Sequence, residues 1–112
     1  NIEGAFGWFP SLCWRLDKHW ARMRAEVPHV KRPPSEYLRQ QLWITTQPME
    51  EPENPQHLLD LMEWGGWDRL LFATDYPLWD FDDPAMALPG SLSREKREQI
   101  CSGIAMKLYR LD

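Results

Sequence analysis

Five consecutive residues, Leu70–Thr74 (Leu-Leu-Phe-Ala-Thr), narrow the fold class before any motif is considered. A strand with one wet face alternates apolar and polar residues. This run does not, so it reads as a strand buried on both faces, as in a parallel sheet covered by helices. A second β-prone run, Leu42–Thr46, starts 28 residues earlier and stops at Pro48. Between the two, Asn54-Pro55 is a helix start, with Asn as cap and Pro at the first position. Gly65-Gly66 is the matching stop. Strand, crossover helix and strand at this spacing make one βα unit.

The same alternation extends in both directions. Asn1–Ala5 reads as the tail of a preceding strand. Pro10 and Ser11 open a helix with Leu12, Cys13, Leu16, Trp20 and Met23 at helical spacing, ended by Pro28. Ser35 caps a short helix to Gln41. Ser93 caps a helix to about Ser102, and a separate helical run covers Ile104–Leu111. The fold class is therefore α/β, with parallel strands and helical crossovers. A complete (β/α)8 barrel needs about 200 residues or more. The 112 residues are one domain, 1–112, and match about three units of a partial barrel.

Charge and composition exclude several function classes. The net charge is -4, and residues 51–112 carry twelve Asp/Glu against six Lys/Arg. That balance argues against a nucleic-acid partner, which calls for a basic face. No apolar run is long enough to span a bilayer, and no leader pattern opens the chain. Cys13 and Cys101 read as two buried thiols in a cytoplasmic setting. Seven Trp are many for so small a core, so some are expected to line a pocket, an interface or a surface covered by more chain.

Asp75 is the leading candidate for chemistry, because it directly follows the buried strand at its C-terminal end, where ligands gather in α/β folds. There it can ligate a metal or carry a proton; the alternative is a loop aspartate in a turn before Tyr76-Pro77. Glu3 would share that rim if Asn1–Glu3 ends a strand, and otherwise is an exposed terminal carboxylate. Asp80, Asp82 and Asp83 lack the calcium-loop pattern and read as a solvated loop. His19, His29 and His57 form no metal-binding pair. Trp8, Tyr76 and Trp79 are candidate substrate-binding aromatics. Their neighbourhood to carboxylates leaves a carbohydrate module as a remote alternative.

Taken together, several segments resemble the amidohydrolase-related family of metal-dependent hydrolases and decarboxylases, the aminocarboxymuconate-semialdehyde decarboxylase group. They are Glu3-Gly4-x-Phe6-Gly7-Trp8-x-Pro10, Trp14-Arg15-Leu16-Asp17, Arg32-Pro33-Pro34-Ser35-Glu36-Tyr37, Thr45-Thr46-Gln47-Pro48 and Leu71-Phe72-x-Thr74-Asp75-Tyr76-Pro77. The resemblance covers almost the whole chain and places it from about strand six of a distorted (β/α)8 barrel. It implies a zinc or manganese ion whose aspartate ligand matches Asp75. It also implies a small-molecule substrate: an amide, a lactone or an aromatic-type acid. The family's H-x-H pair and strand-five histidine have no counterpart here. Glu3, Leu78 and Ile104 stand where relatives carry His, His and Asn. The resemblance therefore implies the C-terminal part of an enzyme, completed by a missing barrel segment. The alternative is a self-associating small protein, a homo-oligomer, with a ligand-binding or altered catalytic role.

Overall fold

The computed structural model describes residues 1–111. Helix α1 spans Trp8–Met23 and α2 spans Pro34–Gln41. Strand β1 is Ile44–Thr45, α3 is Pro55–Gly65, and β2 is Leu70–Leu71 after a 3-10 turn at Trp67–Arg69. The chain closes with α4 (Arg94–Glu98), a π-helical segment Gln99–Gly103 and α5 (Ile104–Tyr109), which follow one another without a break.

β1 and β2 are parallel, with Ile44 opposite Leu70 and Thr45 opposite Leu71. On the other side of β1, Ile2 forms a parallel bridge with Ile44. The Ile2 N–H donates to the Trp43 carbonyl at 2.8 Å, and the Thr45 N–H to the Ile2 carbonyl at 2.9 Å. The first segment thus runs as a strand position beside β1, as the sequence implies. The ladders are shorter than the apolar runs, because both runs bend into rim loops after two paired residues.

The core gathers apolar side chains from α1, α3, both strands and the C-terminal helical run. Phe6, Phe9, Cys13, Ile44, Met62 and Leu70 are buried in a single cluster. Burial of each large apolar side chain contributes roughly 1.5–3 kcal/mol. The far edge of β2 is also covered. Ile100 is fully buried in the π segment, and its carbonyl accepts the Phe72 N–H at 3.3 Å. That bond removes a free donor from an otherwise open edge.

Several local expectations are corrected. Helix α1 begins at Trp8, with Pro10 inside its first turn, where a missing N–H is no loss. It ends at Met23, before Pro28 is reached, and Leu12 and Met23 of the expected stripe are exposed. Ser35 is not the cap of α2. The Asp17 carboxylate caps it from α1, accepting the Ser35 N–H at 2.9 Å and the Ser35 hydroxyl at 2.7 Å. The two expected C-terminal helices are one run joined by the π segment. Cys101 is exposed on it, whereas Cys13 is buried as expected. Asn54 and Ser93 do cap their helices, accepting from Gln56 and Lys96, and Gly66 supplies the left-handed stop with φ 89°.

Candidate functional site

The loop that follows β2 carries the leading candidate. Asp75 is half-buried and adopts a left-handed backbone with φ 58°. Asp tolerates this region better than most residues, but such backbone is sparse outside glycine and gathers at functional sites. The turn is held locally: the Leu78 N–H donates to the Asp75 carbonyl at 2.7 Å, and the Asp82 N–H to the Thr74 carbonyl at 2.9 Å. Tyr76 and Phe81 close over the turn edge to face, 5.7 Å apart.

A buried amide ties this loop to the one after β1. Gln47 is 1% exposed. Its Nε2 donates to the Asp80 carbonyl at 2.6 Å, and its Oε1 accepts the Met49 N–H at 3.1 Å. Thr46 adds a second tie, its hydroxyl oxygen accepting the Ala73 N–H at 3.1 Å. The Thr-Thr-Gln-Pro segment therefore positions the Asp75 loop through side chains rather than through sheet pairing.

Glu3 is exposed and follows the bridge residue Ile2 directly. The register sets it level with Thr45 and Leu71, whereas Asp75 lies four residues beyond Leu71. The two carboxylates share a rim only in the broad sense, and no hydrogen bond joins them through a common partner among the described residues. Trp8 packs against the core, and its indole N–H donates to the Gly4 and Ala5 carbonyls at 3.0 and 2.9 Å. That bond steadies a turn in which Gly4 and Ala5 both have positive φ, 115° and 62°. Tyr76 and Trp79 are 76% and 95% exposed, open to whatever approaches the rim.

Beside this loop lies a cavity of about 620 Å³ between the segments after β1 and β2. Glu50, Glu51, Asp82 and Asp83 contribute carboxylates to it, and Met49, Leu58, Phe81 and Met86 contribute apolar walls. Glu50 accepts the Gly7 N–H through Oε1, while its Oε2 is buried without a partner, as is Asp82 Oδ2. Burial pushes the Asp82 carboxyl above the usual carboxylate range, with further upward pressure from the charges of Glu51, Asp75 and Asp80. Asp82, expected in a solvated loop, is instead half-buried with Oδ2 fully enclosed, and the sequence expectations do not include Glu50. The available signal was the strand-end position of Thr46-Gln47-Pro48, which puts the following acid on the rim.

No group of three or more His, Cys, Asp or Glu side chains that could hold a metal ion occurs among the described residues. Asp75 offers one carboxylate, and the three histidines do not converge on it. These residues do not make a metal site by themselves.

The family model for amidohydrolases matches residues 2–111. The chain belongs to the amidohydrolase family. It is 30% identical over 106 residues to a gamma-resorcylate decarboxylase of Polaromonas sp., covering 92% of this chain and 31% of that protein. Among solved structures it resembles a dihydroxybenzoic acid decarboxylase of Polaromonas sp. JS666, which has bound manganese and the inhibitor 2-nitroresorcinol. That match has a TM-score of 0.68 and 27% identity over 99% of this chain and 34% of the other. A 2,6-dihydroxybenzoate decarboxylase complexed with 2,6-dihydroxybenzoate matches with a TM-score of 0.61 and 27% identity, over 99% and 35%. A 5-carboxyvanillate decarboxylase of Sphingomonas paucimobilis, 21% identical with a TM-score of 0.64, shares the fold. The chain spans about a third of the length of each relative. It is a partial α/β piece of the barrel architecture of such decarboxylases. No helix among the described residues is long and apolar enough to cross a membrane.

Proposed function

We propose that this chain is the C-terminal part of a decarboxylase that removes carboxylate from an aromatic acid, with the rest of the barrel supplied by polypeptide outside residues 1–112. Three consecutive βα units, led by the Ile2, β1 and β2 positions, suit that role. The observation that carries the reading is Asp75, in a left-handed turn at the C-terminal end of the buried strand that the Leu78 N–H closes onto the Asp75 carbonyl and that Gln47 anchors at Asp80.

Decarboxylation breaks the bond between ring carbon and carboxylate and leaves the electron pair on the ring. A proton must then be placed on that carbon. A fixed rim carboxylate can hold this proton and deliver it. Tyr76 and Trp79 would offer flat surfaces to the ring. Glu3 would stand at the substrate-facing position of the first strand and add a second carboxylate. The family's divalent ion, manganese in one relative, calls for donors that these residues do not complete. We assign only one of its ligands here, Asp75.

The test is carbon dioxide release from 2,6-dihydroxybenzoate and related hydroxybenzoates by the full-length protein in deuterated water. The proposal expects release with one deuterium on the carbon that lost carboxylate. Hydrolysis of amides or lactones without such release would replace it with the hydrolase reading.

A further inference from the structure

The structure assigns a second binding site to the opposite end of the strands: a cationic cavity, floored by tryptophan, that takes a small oxyanion carried on a flat apolar ring. The cavity holds about 440 Å³, within the range of small-molecule sites. Trp43 and Arg69 line it, and they immediately precede β1 and β2. Asp75 follows β2. The two sites are thus at opposite ends of the sheet, and the cavity is no extension of the decarboxylation site.

Its chemistry runs against the rest of the chain. The whole sequence has a net charge of -4, yet Arg69, Lys107 and Arg110 meet here with Asp68 as the one carboxylate in the lining. None of these three cations forms an ion pair among the described residues. Arg69 is fixed rather than free-swinging. Its guanidinium lies 4.5 Å from the Trp43 ring centroid, and Nη1 donates to the Gln40 carbonyl at 3.2 Å. A guanidinium held over an indole by a cation–π contact keeps further N–H groups in its planar fork, the geometry that suits a carboxylate or phosphate. Lys107 and Arg110 come from the end of α5, where Arg110 takes a left-handed backbone with φ 55° and the helix stops. The carbonyl end of a helix favours cations there. Trp67 and Leu108 complete apolar walls that suit a ring.

An oxyanion on a ring can be an aryl carboxylate or an aryl phosphate. Both share the charge and shape that the cavity selects, so the probes are benzoate and phenyl phosphate, with benzamide as the neutral control. They are titrated into the full-length protein while the indole N–H signals of Trp43 and Trp67 are followed by NMR. Both indoles are expected to shift with one or both anions and not with benzamide, and the tighter anion names the ligand class. The shifts should survive Asp75→Asn. The double variant Lys107→Gln, Arg110→Gln alters two exposed side chains and should weaken binding about fivefold or more. Asp68→Asn removes the opposing charge and should tighten it. Anion shifts no larger than those with benzamide would overturn the assignment. So would unchanged affinity in both the double variant and Asp68→Asn.

Discussion

Replacing Gln47 tests how the candidate site is held together. The side chain is 1% exposed and makes two bonds, to the Asp80 carbonyl at 2.6 Å and from the Met49 N–H at 3.1 Å. Each is worth about 1 kcal/mol net, and a buried partner left without one costs about 1–3 kcal/mol. Gln47→Ala strands both partners and leaves a small void. We expect a loss of about 2–4 kcal/mol, a large share of the ~5–15 kcal/mol of an ordinary domain. Gln47→Glu keeps the volume but sets an acceptor against the Asp80 carbonyl, so it should also destabilise. Urea unfolding measures the total, and amide hydrogen exchange localises it. The Met49 and Leu78 amides should exchange faster, while the Thr45 amide in the sheet should change less. A loss below about 0.5 kcal/mol with unchanged exchange at Met49 and Leu78 would refute the claim that this amide clamps the two rim loops.

Three further perturbations separate parts of the account. Asp17→Ala removes the cap that α1 lends to α2 and should cost about 1 kcal/mol in urea unfolding, whereas a surface substitution would cost nothing measurable. The Asp82 carboxyl is raised by burial first and by neighbouring acids second, so the folded protein holds that proton more tightly than the unfolded chain. Its contribution favours folding at low pH and is lost as pH rises through the folded value. Asp82→Asn should therefore raise the melting temperature at neutral pH, and the gap should close below about pH 4; an equal gap at both would contradict the burial argument. Cys101 is exposed, while Cys13 is buried with its thiol pushed up by desolvation. A thiol reagent at neutral pH should label Cys101 quickly and Cys13 only on unfolding, and the reverse order would contradict the burial of Cys13 and the exposure of Cys101.

The architecture was readable where local chemistry and burial agree. Leu70 and Leu71 are apolar and buried, and they pair as β2. Asn54-Pro55 and Gly65-Gly66 bound α3 because capping and left-handed stops are local properties. Long-range choices were not readable. Nothing near Ser35 indicates that Asp17, eighteen residues earlier, caps its helix. Nothing in the periodicity of residues 94–109 signals a π segment, from which the Ile100 carbonyl reaches the Phe72 N–H beyond β2. The site divides in the same way. Asp75 stood out by following a buried strand. Gln47 and Glu50 did not, because their roles come from partners on other segments, Asp80 and Gly7. Two exposed indoles, Trp14 and Trp64, meet edge to face at 5.5 Å on α1 and α3, away from the strand rim that carries Tyr76 and Trp79.

Whether the Asp75 carboxylate belongs to a decarboxylation site is decided by comparing the full-length protein with its Asp75→Asn form, manganese supplied to both and carbon dioxide release from 2,6-dihydroxybenzoate followed. A positioned proton carrier is worth about 10²–10⁴-fold, so release should fall by at least about a hundredfold while the melting temperature barely moves. Equal rates from the two proteins, or no release from the unaltered one, would contradict the account.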